Sequence, residues 1–103
     1  MVNVIIYLKE EFQAEELVKF LLEEKLIAAA SIDVNNTNYR LKDNIIQKEI
    51  FNVITAQTKS LLINQIIKKV EEKFEGEILI NSTPIVGSNS CFDELVKQNT
   101  QLI

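Results

Sequence analysis

The chain has 103 residues, 47% hydrophobic and 25% charged, which fits one domain around one core and leaves no material for a second. Its net charge is −4 and Arg40 is its only arginine, so no basic stripe is available to neutralise a phosphate backbone, and nucleic acid is excluded as an expected partner. There is no histidine and one cysteine, Cys91, which removes nucleophile–histidine catalysis, histidine-ligated metals and intrachain disulfides within a single chain.

The opening MVNVIIYLKE has no basic n-region, and no apolar run in the chain reaches the roughly 18 residues of a membrane span. The expectation is a soluble, cytoplasmic protein with no membrane partner. Val2 to Leu8 alternates, with Val2, Val4, Ile6 and Leu8 on one face, and predicts a strand. From Phe12 to Lys25 the period lengthens. Ala14, Leu17, Val18, Leu21 and Leu22 form one helical stripe, with Glu10 and Glu11 at its start and Lys25 at its end, as the helix dipole favours. The run then meets Ala28, Ala29 and Ala30 with no Gly or Pro before them. Alanine is the best helix former, yet Ile32 and Val34 beyond it alternate. The helix is therefore expected to stop at Glu24 or Lys25, with Ala28 to Ala30 entering a second strand because packing overrides propensity.

Ile27 to Leu41 is a strand region interrupted by an Asn-rich stretch, and Lys42 to Asn44 reads as a hairpin tip. Ile45 to Thr58 is a long strand with Ile50, Asn52, Ile54 and Ala56 on one face. Thr58 or Ser60 is placed to cap a second helix whose stripe is Ile63, Ile66, Ile67, Val70 and Phe74, and Gly76 stands where a left-handed C-terminal residue belongs. Glu77 to Thr83 reads as a fourth strand. Pro84 and Gly87 punctuate a loop, and Ser90 to Thr100 forms a terminal helix capped by Asn89 or Ser90, with Phe92, Leu95 and Val96 on one side.

The order β-α-β-β-α-β plus a tail helix is the split βαβ arrangement: an α+β domain over residues 1–103 with an antiparallel four-stranded sheet and both main helices on one face. Such a sheet has two edges, and a long strand with few edge-blocking charges pairs readily with another chain.

LLEEKLIAA (Leu21 to Ala29), TNYRL followed by DNI, QT at Gln57–Thr58, and PIVGSNSCFDELVKQNT from Pro84 to Thr100 together resemble segments of the CutA family, the divalent-cation tolerance proteins. The matches spread over nearly the whole chain. The resemblance implies a ferredoxin-like fold and a homotrimer of PII-like architecture, its long hairpin extending a sheet across subunits. It also implies a non-enzymatic role in tolerance of copper and other divalent metal ions. The chain departs from the family pattern at Ala29, where a cysteine is usual, and at Leu41 and Leu95, which replace tryptophans. Phe92 replaces a tyrosine, and EKFEGE replaces His-Pro-Tyr. These departures remove the soft ligands and leave an apolar frame.

Tyr39, Arg40, Glu49, Gln57 and Asn89 are the polar residues closest to the family's inter-subunit cleft segments. Arg40 there suits a small anion or metabolite, since its planar fork matches carboxylate or phosphate; a salt bridge to Glu49 across the hairpin is the competing role. Cys91, in the first turn of a helix, is either a thiolate ligand or a small filler residue, the commoner fate. Glu10, Glu11, Glu15, Glu16, Glu23 and Glu24 offer oxygen ligands to a hard cation, but along a helix they more often make a solvated face with pairs such as Glu15–Lys19. Leu41 and Leu95 read as core or interface hydrophobes. Three functions compete: a metal-tolerance module, a PII-like sensor or scaffold for a small anion or partner protein, and a small hydrolase. The last needs an anion-cradling loop, and two glycines, Gly76 and Gly87, do not make one.

Overall fold

The computed structural model describes residues 1–102. In chain order the elements are β1 (Val2–Leu8), α1 (Glu11–Glu23), β2 (Ala29–Lys42), β3 (Ile45–Thr58), a 3₁₀ turn (Ser60–Leu62) running into α2 (Ile63–Lys73), β4 (Leu79–Pro84) and α3 (Ser90–Asn99). The strands form one sheet in the order β2-β3-β1-β4 with antiparallel neighbours, the expected ferredoxin-like α+β arrangement. Alternation fixes what faces the core. Val2, Val4, Ile6 and Leu8 of β1 and Ile54 and Ala56 of β3 pack against Ala14, Leu17 and Leu21 of α1 and Ile66 and Val70 of α2. Each large aliphatic group buried there is worth about 1.5–3 kcal/mol. Leu22, expected in the α1 stripe, lies at its margin and is 39% exposed.

The stop of α1 is a backbone device. Lys25 N–H donates to the Leu22 carbonyl at 3.1 Å and Leu26 N–H to the Leu21 carbonyl at 2.9 Å, with Lys25 in the left-handed region at φ 56°. That is a Schellman motif, in which the residue after the cap turns left-handed and an apolar residue follows. Leu26, fully buried, is that residue. The C-terminal tail adds to the cap: Gln101 donates its side-chain amide to the Glu24 carbonyl and its backbone N–H to the Lys25 carbonyl. Ala28 then donates to the Gln57 carbonyl at 2.8 Å, and Ala29 and Ala30 sit in β2 opposite Gln57 and Ala56. The strand thus starts one residue later than expected, with Ala28 already tied to β3.

The β2–β3 hairpin closes through Asp43 and Asn44, at φ 52° and 62°. Two consecutive left-handed residues make the turn that matches strand twist, and Asp and Asn tolerate that region. β1 pairs with β3 only from Asn52 to Thr58. Ile45 to Phe51 are therefore paired with β2 alone among the described residues, a ribbon of about 23 Å that leaves the body of the sheet.

Several local expectations are corrected. Neither Thr58 nor Ser60 caps α2; Thr58 is the last residue of β3, and its buried hydroxyl donates to the Leu26 carbonyl. Gly76 does adopt a left-handed φ of 85°, but Phe74 ends α2 in an extended conformation, so the glycine serves the following turn. β4 begins at Leu79, two residues later than expected, and Glu77 before it stands 3.5 Å from Arg40 Nη1. Asn89, not Ser90, caps α3, its side-chain oxygen accepting from Phe92 N–H at 3.0 Å. Leu41 and Leu95 are exposed and belong to no core of the single chain, and Ile50 is exposed on the ribbon. Cys91 is exposed and fills no part of the single chain's core. Glu15 and Lys19 make no ion pair among the described residues.

Candidate functional site

The site lies where the ribbon leaves the sheet. β1 ends at Leu8 because the chain turns at Lys9 and Glu10 into α1, so β3 continues past its neighbour. Asn52, Ile54, Ala56 and Thr58 face the helices and are buried, so Glu49 and Phe51 project from the opposite face. On β2, Asn38 is the register partner of Glu49, and Arg40 lies two residues on along the same face. The two charges meet diagonally, Arg40 Nε against Glu49 Oε1. Both atoms are buried and have no hydrogen-bond partner besides this contact among the described residues. Lys9 Nζ reaches the other carboxylate oxygen at 3.4 Å, and Arg40 Nη1 stands 3.5 Å from Glu77. Tyr7 and Phe51 meet edge to face at 5.7 Å, with the Lys9 ammonium 5.5 Å from the Phe51 ring centroid.

Burial pushes the Glu49 carboxyl up, but the Arg40 charge and the contacts from Lys9 and Arg40 outweigh it and hold it below its ordinary value. The carboxylate stays ionised through the neutral range. A carboxylate held between two cations has lost the basicity a general base needs. The arrangement suits binding and positioning.

Around this pair the segment Lys73–Leu79 and the end of β1 wall a cavity of about 540 Å³. Lys42 and Lys73 reach it as well, and Tyr39 joins Arg40 and Glu49 in an adjoining groove. Tyr39, Arg40 and Glu49 are thus brought together. Gln57 and Asn89 are not. Gln57 lies about 33 Å along β3 from Gln47, the register partner of Arg40, and its amide donates to Asn3. Asn89 is occupied by the α3 cap.

Sequence reasoning missed Lys9, Lys42, Phe51, Lys73 and Glu77. Phe51 was legible, since it shares the Glu49 face by alternation; Glu77 needed the bend before β4, which no local pattern announces. On the other side of the sheet a buried amide braces the junction. Asn52 donates to the Lys9 carbonyl at 3.0 Å and accepts from Asn35 N–H at 3.3 Å, where Asn35, at φ 55°, forms the bulge between Asp33 and Asn36.

No group of three or more His, Cys, Asp or Glu gathers into a metal site among the described residues of one chain. The donor chemistry does not fit a copper centre within a single chain either. Imidazole is absent and the one thiol, Cys91, sits alone on an exposed helical turn. The glutamates of α1 are exposed, as a solvated face requires.

The family model described as CutA1 divalent ion tolerance protein matches residues 2–99. Comparison with curated proteins finds no match. Among solved structures, CutA1 from Oryza sativa superposes with a TM-score of 0.90 at 19% identity, over 97% of this chain and 93% of that one. A point mutant of CutA1 from Pyrococcus horikoshii OT3 gives 0.89 at 19% identity, over 99% and 100%. The periplasmic divalent cation tolerance protein CutA from Archaeoglobus fulgidus gives 0.87 at 20% identity, over 98% and 100%.

Proposed function

Because the chain belongs to the CutA1 divalent ion tolerance protein family, we propose that it works as a non-catalytic binding or regulatory module in the cytoplasmic response to divalent metal ions, assembled as a homotrimer of PII-like architecture. The observation that carries the assembly is the β2–β3 ribbon. Leu41, Ile45 and Ile46 are 66%, 63% and 74% exposed on it. A two-stranded ribbon with apolar residues open to water is marginal alone, and β2 and β4 both present unpaired edges to a neighbouring chain. Because the carboxylates and the thiol do not gather among the described residues of one chain, a direct ion site would draw ligands from more than one subunit. Calorimetric titration with Cu(II), Zn(II), Ni(II) and Mg(II) tests this half of the reading. Saturable binding at a fixed number of ions per assembly supports it, and heat no greater than surface carboxylates give contradicts it.

A second reading rests on the Arg40 cleft. A polar cavity of this size beside a half-buried ion pair is a place for a small molecule, and the protein then acts as a sensor or scaffold rather than as an ion binder. Thermal-shift measurement with a metabolite collection tests it, since a ligand of the native state raises the melting temperature.

A further inference from the structure

Resting on the cleft as a ligand site, we infer that its ligand is a small polyvalent oxyanion held by Lys42, Lys73 and the outer edge of Arg40. The chain as a whole carries −4, yet the cavity is lined by four cationic side chains, Lys9, Arg40, Lys42 and Lys73, against three carboxylates. Charge inside it is inverted relative to the protein. Two of those carboxylates, Glu49 and Glu77, are already drawn onto Arg40, and Glu49 onto Lys9 as well. The third, Glu75, is exposed like Lys42 and Lys73 and has no cation within ion-pairing distance among the described residues, so two unpaired ammonium groups stand against one unpaired carboxylate.

Lys42 and Lys73 are the lining cations without a carboxylate partner. Neither has a carboxylate within ion-pairing distance among the described residues. Lys73 instead rests its ammonium 4.2 Å from the Phe20 ring centroid. That hold is weak enough for a flexible side chain to exchange for a stronger partner. Ammonium groups act as mobile point charges that donate to oxygens from any direction, while Arg40, fixed by Glu49, supplies a rigid fork edge. Two mobile charges around one fixed fork reward a ligand with at least two negative charges. A monovalent ion leaves one lysine unanswered. The cavity of about 540 Å³ is in the range that takes small metabolites. Phosphate-bearing and polycarboxylate molecules share this chemistry.

The test is calorimetric titration of the whole protein with inorganic pyrophosphate and, separately, with citrate, at constant ionic strength. It is repeated on Lys42→Ala, on Lys73→Ala, and on Lys68→Ala as a control elsewhere on α2. All three lysines are exposed, and circular dichroism melts check that each variant folds. The expected result is saturable binding of at least one probe, weakened about tenfold by each cleft variant and unchanged by Lys68→Ala. Whichever probe binds identifies the ligand as phosphate-bearing or polycarboxylate. Absence of saturable binding of both probes overturns the inference, as does equal weakening by Lys68→Ala. A neutral metabolite that shifts the melting temperature while both anions fail to bind keeps the sensor reading and overturns this one. Light scattering on the same sample reports the assembly independently.

Discussion

At Glu49, burial and two cations pull the carboxyl in opposite directions, and the cations prevail. A group whose folded pKa is depressed adds stability above its unfolded pKa, and that stability is lost as pH falls through the folded value. Glu49→Gln should therefore be less stable than the parent at neutral pH, with the gap closing as pH falls below the usual carboxylate range. Urea unfolding across a pH series checks this, and a gap independent of pH would contradict it. Lys25 gives a second residue-scale prediction. It holds the left-handed position of the Schellman motif with a side chain where glycine is the usual solution. Lys25→Gly should stabilise the fold by about 1 kcal/mol in urea unfolding, since an L-residue loses roughly that in this conformation. Arg40 and Glu49 were legible as a pair because alternation put them on one face of one hairpin. Gln57 and Asn89 lie away from that pair within one chain, since periodicity reports which face a residue occupies and not how far along the sheet it lies. Cys91 is exposed in the single chain because α3 buries one apolar residue there, Val96.

Among the elements, β1 and β3 keep the expected bounds, and burial alternates along all of β1 and along β3 from Asn52 to Thr58. The helix ends were harder to read. α1 stops on a left-handed lysine and an apolar follower, a device with no glycine to announce it, and α2 starts from a 3₁₀ turn without any side-chain cap. The Asn-rich interruption of β2 was visible in the sequence, but its purpose was not: the bulge is pinned by Asn52 from the neighbouring strand. Asn52→Ala leaves the Asn35 N–H and the Lys9 carbonyl without this partner and should cost about 1–3 kcal/mol. Chemical denaturation measures the loss. Amide exchange should quicken first in Asp33 to Asn38, where the bulge loses its brace; uniform change over the whole sheet would argue against a pinning role.

At the scale of the whole molecule, one chain buries a core between the sheet and α1 and α2, and carries the ribbon beyond it with apolar side chains in water. The ordering of elements, and with it the ferredoxin-like fold, was readable because each change of period marks a boundary. The cleft was only half readable, because Lys9, Lys73 and Glu77 converge on it from three separate segments. In the proposed trimer the ribbon is the joining element, so Ile46→Lys, which puts a charge at its most exposed apolar position, should lower the assembled mass without unfolding the monomer's core. The central claim is tested most directly by light scattering of the unaltered protein on a sizing column at micromolar concentration. A mass three times the 11.8 kDa of the chain, held on dilution, is the predicted result, and a stable single-chain mass would contradict it.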